Sequence, residues 1–154
     1  PALIWVGNGV DSAYLAEIQR LAATLGVDFR HNIMVSEQEL VGLLNQAAVM
    51  LYTSRLEPFG FAPLEANACE TPVVAIAEGG IRETIVHGLN GFLVSEDNPE
   101  LLGAAVSELL ENPRQARDMG IQARKHVLAN WNWEQAIDRL EQHLLDLAGK
   151  TTVA

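Results

Sequence analysis

Along the first two-thirds of the chain, short β-branched runs alternate with stretches whose apolar residues recur at helical spacing. Leu3 to Val6 predicts a strand ending in Gly7-Asn8-Gly9. Asp11 can then cap a helix with Leu15, Ile18, Leu21, Ala22 and Leu25 on one face and Gly26 as its stop. Val27 to Phe29 predicts a weak strand whose end is blurred by Arg30, His31 and Asn32. Ser36 and Glu39 form a capping box ahead of the stripe Leu40, Leu43, Leu44 and Ala47. Ala48 to Tyr52 predicts a strand, Phe61 to Ala68 a helix and Pro72 to Ile76 a further strand. A short helix over Arg82 to Val86 and a strand over Gly91 to Val94 close the alternation.

From Asn98 on, the pattern is helical only. One helix runs from about Pro99 to Glu111, where Asn112-Pro113 breaks it, and a second reaches about Ala129. A third starts after Asn132 and carries Trp133, Ile137, Leu140, Leu144 and Leu145. Repeated strand-helix-strand units imply a parallel sheet with helices on both faces. The expected fold class is therefore α/β, a Rossmann-like three-layer sandwich with a five-stranded parallel sheet and extra C-terminal helices. One domain is expected over 1–154, with an α/β core over 1–97 and helices over 98–150. The last helix presents an apolar face that either lacks a partner or folds onto its own sheet.

Composition narrows the partners. At 154 residues, with 49% hydrophobic and 19% charged, the chain has the profile of a folded globular domain rather than a disordered one. A formal net charge of −10 argues against nucleic acid or direct binding to an anionic membrane, since both need a basic face. No apolar run reaches membrane-spanning length, and Pro1 to Val6 carries no basic region of a signal peptide. The chain opens on Pro1 rather than Met, as a processed chain or a piece of something longer would. The single cysteine, Cys69, suits the cytoplasm and reads as a small buried residue on a helix. His31, His87, His126 and His143 show no spacing for a metal or a triad, Trp5 and Trp133 read as packing residues, and Ser95 to Asn98 reads as a solvated turn.

In an open parallel sheet, ligands collect beyond the carboxyl ends of the strands. Two successive strands here end in loops that lead straight into helices: Thr53-Ser54-Arg55-Leu56-Glu57-Pro58-Phe59-Gly60 and Ala77-Glu78-Gly79-Gly80. Each places glycine amides at a helix N-terminus, where free N–H groups and the macrodipole favour an anion such as a diphosphate. Glu57 and Glu65 follow with seven residues between them. A carboxylate repels phosphate but accepts well from neighbouring hydroxyls, so a ligand with a charged middle and hydroxyls at both ends fits, namely a nucleoside diphosphate sugar. Equally, Glu57 can be a solvated loop charge and Glu65 an exposed helix residue. Spacing alone leaves both readings open.

The run Glu57-Pro58-Phe59-Gly60-Phe61-Ala62-Pro63-Leu64-Glu65-Ala66 resembles the E-x7-E signature of family 4 (group 1) retaining glycosyltransferases of the two-domain GT-B architecture. Further blocks resemble the same family: Ile4 to Gly9, Val35 to Leu40, Ala68 to Ala75, Glu78 to Glu83, Gly88 to Val94, and Trp133 in the helical tail. The resemblance identifies the chain with the C-terminal, donor-binding domain. It implies that Glu57 contacts the donor-sugar hydroxyls nearest the chemistry and that Glu65 binds the ribose. Phe59, Gly60, Gly79 and Gly80 would lie at the donor sugar or diphosphate, with the amides of Phe59, Gly60 and Gly80 making the contacts. It further implies transfer with retention by front-face displacement, with no cofactor and no metal, and no D-x-D pair is present to hold a cation.

Departures from the family pattern carry expectations of their own. The strand-helix unit that supplies an Arg and a Lys to the diphosphate precedes the first residue here, and so does the acceptor domain. Loss of each cation is expected to cost roughly 2–5 kcal/mol of charge-pair binding. Arg82 stands where proline is frequent, and Asn32 where glycine is common. The absent strand would lie in the middle of the order 3-2-1-4-5-6, so the remaining five strands can close up into a flavodoxin-like 2-1-3-4-5. By these expectations the chain is the donor-binding half of an enzyme whose missing N-terminal domain is its partner, and does not transfer a sugar alone. The rival readings are a binding module that keeps the fold without catalysis and a flavodoxin-like scaffold domain.

Overall fold

The computed structural model describes residues 1–95 and 97–151. The chain divides into two compact units, Pro1–Leu43 and the residues from Leu44 on. In the first, β1 (Ala2–Gly7), α1 (Ser12–Leu25) and β2 (Asp28–Ile33) form a two-stranded parallel ladder with its crossover helix, in register from Ala2 opposite Asp28 to Gly7 opposite Ile33. The Asp11 carboxylate accepts from the Tyr14 amide at 2.8 Å, and Gly26 ends α1 in the left-handed conformation, as the local chemistry predicts. Trp5 packs against Tyr14 and Phe29, with ring centroids 6.2 and 6.5 Å apart. β2 runs on through Arg30, His31 and Asn32, because pairing with β1 supplies backbone partners that the polar side chains do not hinder. Of the predicted α1 stripe only Ala22 is buried, while Leu21 and Leu25 are exposed.

Helix α2 (Glu37–Gln46) follows the capping box: the Ser36 amide donates to Glu39 Oε2 at 2.7 Å and the Glu39 amide donates to Ser36 Oγ at 3.3 Å. The second unit contains β3 (Met50–Tyr52), α3 (Phe61–Ala68), β4 (Val73–Ile76), α4 (Ile81–Thr84) and β5 (Gly91–Val94). Its strands form a parallel sheet of order β3-β4-β5. The central strand reads Val-Val-Ala-Ile without alternation and is buried throughout, as a strand covered on both faces must be. Helices α5 (Pro99–Glu111) and α6 (Pro113–Asn130) complete the core, where Val74, Ile76, Phe92 and Val94 pack with Leu102, Leu109, Ala116 and Met119. Beneath α3, the buried Asn67 and Asn90 satisfy each other: Asn90 Nδ2 donates to Asn67 Oδ1 at 2.8 Å and Asn67 Nδ2 donates to the Asn90 carbonyl at 3.0 Å. This pair ties the helix to the turn before β5.

The α/β class with parallel strands holds, but a single five-stranded sheet does not form among the described residues. The strands make two separate ladders, and the closed order 2-1-3-4-5 is not found. The closing helix, α7 (Trp133–Thr151), has no buried residue among those described, so its apolar stripe does not fold onto the sheet. Trp133 itself is 78% exposed, contrary to its expected packing role.

Candidate functional site

The loops after β3 and β4 emerge from the same end of adjacent parallel strands and meet backbone to backbone. The Gly80 amide donates to the Glu57 carbonyl at 3.0 Å. A Cβ on Gly79 would overlap that carbonyl, and one on Gly80 would overlap the Pro58 carbonyl and the Phe59 Cα. Gly79 also has φ +53°, which a side chain opposes. Gly60 caps α3 at φ +100°, and a Cβ there would stand 2.7 Å from Ile81 Cδ1. The glycines thus serve first to let two loops approach one another.

Within this frame the Glu57 side chain turns back onto the start of α3. Its Oε1 accepts the amides of Gly60 at 3.1 Å and Phe59 at 3.4 Å, and its Oε2 accepts the Tyr52 hydroxyl at 2.7 Å. The Tyr52 hydroxyl, then the Phe59 amide, hold the Glu57 carboxyl below its usual range; burial opposes them and the Gly60 amide adds to them. Burial, then the bond to Glu57, pushes the Tyr52 phenol up, so it remains a donor. A carboxylate offers about four lone-pair sites, so Glu57 keeps room for about one further hydroxyl.

The three amides expected at the donor are therefore already engaged: Phe59 and Gly60 with the Glu57 carboxylate, and Gly80 with the Glu57 carbonyl. A helix N-terminus draws the nearest anion, and here that anion is the loop's own carboxylate. Glu65, by contrast, is exposed on α3 and makes no side-chain hydrogen bond or ion pair among the described residues.

The model for glycosyl transferases group 1 matches residues 2–126. The chain belongs to that family. It is 35% identical to the GDP-mannose-dependent alpha-(1-6)-phosphatidylinositol monomannoside mannosyltransferase of Mycolicibacterium smegmatis, over 93% of this chain and 39% of that protein. Among solved structures it is similar to the sucrose-phosphate synthase of Thermosynechococcus elongatus, at 28% identity and a TM-score of 0.78, covering 96% of this chain and 39% of that one. It shares the fold of HepE of Anabaena in complex with UDP, at 23% identity and a TM-score of 0.83, covering 94% of this chain and 41% of that one. The chain spans about two-fifths of the length of these relatives. The Rossmann-like expectation agrees with this fold.

Around the site, this group 1 chain uses residues that sequence reasoning passed over. Tyr52 was read only as the end of a strand, although a phenol closing an apolar run is a signal that a polar partner waits beyond it. Arg55 donates from Nε to Glu78 Oε2 at 2.5 Å and from Nη1 to Asp97 Oδ2 at 2.7 Å. The turn read as solvated thus supplies an ion-pair partner in Asp97, and Asn98 caps α5 by accepting from the Leu101 amide at 3.0 Å; Glu96 lies outside the described residues. The aromatic partner of the Phe59 loop is Trp131, edge-on at 5.2 Å, rather than Trp133. Trp131 ends α6 and can turn onto that loop, whereas Trp133 opens the exposed α7.

Proposed function

We propose that residues 1–154 form the nucleotide-sugar-binding domain of a retaining glycosyltransferase, with its α/β core over 1–97 and its helices over 98–150. In this reading the rest of the enzyme supplies the acceptor domain and the diphosphate cations, and the chain alone transfers nothing. The observation that carries it is the contrast between Glu57, preorganised ahead of α3, and Glu65, exposed on α3 with no side-chain hydrogen bond or ion pair among the described residues. A hydroxyl-bearing ligand completes such a pair. Glu57 takes a donor-sugar hydroxyl on its remaining lone pair, and Glu65 takes the ribose hydroxyls. The Phe59-Gly60 and Gly79-Gly80 backbone forms the wall against the sugar and diphosphate. No metal is part of this reading.

The donor class is a nucleoside diphosphate hexose in the cytoplasm. Among the described residues no helix is long and apolar enough to cross a membrane. GDP-mannose is the first donor to test, since the 35%-identical relative is named for it. Calorimetric titration of the intact protein with GDP, UDP and ADP tests the reading. Binding of one nucleotide, abolished by Glu65→Ala, supports it; a Glu65→Ala variant that binds as well as the parent overturns it.

A further inference from the structure

Leu56, directly before Glu57, has φ +56° and is 84% exposed, so neither its backbone preference nor packing of its side chain explains its conformation. The explanation lies in the neighbouring loop. Glu78 Oε1 accepts the Leu56 amide at 3.2 Å while its Oε2 accepts Arg55 Nε at 2.5 Å. Arg55 in turn reaches Asp97, ahead of α5. Residues 55, 56 and 57 thus each make one bond to the loop after β4: Arg55 and the Leu56 amide donate to the Glu78 carboxylate, and the Glu57 carbonyl accepts from the Gly80 amide.

Exposed ion pairs are ordinarily worth little, and the pair Arg30–Asp28, both more than half exposed and two residues apart, is of that kind. Glu78 differs in three ways. Its side chain is only 25% exposed, its partners lie 22 and 23 positions away, and it directly precedes the two glycines at which an added Cβ would overlap the backbone of Glu57, Pro58 and Phe59.

We infer that Glu78 is a positioning residue: by holding Arg55 and the left-handed Leu56 it fixes where the Glu57 carboxylate meets the donor sugar. This rests on the donor-site reading. Because Glu57 faces the sugar and Glu65 the nucleoside, loss of Glu78 acts on the sugar part of the ligand alone. The test is calorimetry on the intact protein with GDP-mannose and GDP, and in parallel UDP-glucose and UDP and ADP-glucose and ADP, using the pair that the parent binds.

In Glu78→Ala the nucleotide sugar weakens by about tenfold, as for the loss of one charge-assisted hydrogen bond, while the bare nucleotide stays within about twofold. Glu78→Gln, which keeps an acceptor for the Leu56 amide, retains most of the affinity. Unchanged nucleotide-sugar binding in Glu78→Ala overturns the positioning role and leaves the donor reading standing. Equal weakening of sugar nucleotide and nucleotide also overturns it, since that is the mark of general damage to the fold. A parent protein that binds none of the three pairs overturns the donor reading and the positioning role with it.

Discussion

At the loop end of α3, Glu57 accepts three hydrogen bonds, whereas five residues into the helix Glu65 accepts none among the described residues. The same residue type, in the same short segment, is built in at one end and left open at the other. Around Glu57 the backbone itself is specialised, with positive φ at Leu56, Gly60 and Gly79 and close backbone contact at Gly79 and Gly80. Around Glu65 there is only regular helix. The loop end is held by the protein's own backbone contacts, so damage there alters the fold. At the helix end, on the proposed reading, damage removes a contact to the nucleotide and leaves the fold intact.

Gly80→Ala tests the built end most severely. Its Cβ meets backbone rather than a side chain that can turn aside, so the two loops must part. A loss of about 3 kcal/mol in unfolding free energy is expected, the upper end for overpacking, read from denaturant curves. Glu65→Ala gives the opposite signature: nucleotide affinity falls roughly 100-fold, the loss of two hydrogen bonds to a charged acceptor. Stability changes by less than about 0.5 kcal/mol, as for other exposed sites. If Glu65→Ala unfolds the protein, the contrast between the two ends fails.

Glu57→Gln comes next. The amide oxygen still accepts from Phe59 and Gly60, so the loop persists. Affinity for the nucleotide sugar relative to the bare nucleotide drops by about tenfold, as one charge-assisted bond to the sugar is weakened.

Tyr52→Phe is the mildest. It removes the largest cause of the lowered Glu57 pKa, so the carboxyl moves back toward its ordinary value. A carboxyl whose pKa is depressed by folding adds stability above its unfolded pKa, and that contribution is lost as pH falls through the folded pKa. The variant therefore loses this contribution at a higher pH than the parent. Carbon NMR titration of the Glu57 carboxyl reads the shift directly, and an unchanged titration would show that the amides alone set the pKa.

Much of the fold was legible because its signals are local. Asp11, Gly26, the Ser36–Glu39 box and the strand of four residues before Gly79-Gly80 are written within a turn or two of the elements they bound. Helix α3 matches its predicted limits, since Gly60 and the turn after Ala68 punctuate it. β2 outran its prediction because its ladder with β1 overrides polar side chains. The two glutamates were legible as a pair but not as opposites. Nothing near Glu57 in the chain says that Tyr52 will donate to it or that its carboxylate will take the amides of Phe59 and Gly60. Nor does the composition of the tail say that Trp131 rather than Trp133 will reach Phe59.

By itself, the sequence determined the alternation of strands and helices, the family, and the loop-helix segment with its two carboxylates, since caps, periodicity and motif spacing act over a few residues. Only the tertiary structure decided the division of the strands into two ladders, the engagement of Glu57, and the tie from Arg55 to Glu78 and Asp97. The bonds of that tie join residues 22 to 42 positions apart. Such a pairing exists only once parallel strands have brought the ends of three loops to one side of a sheet, and no local pattern encodes where those ends will meet.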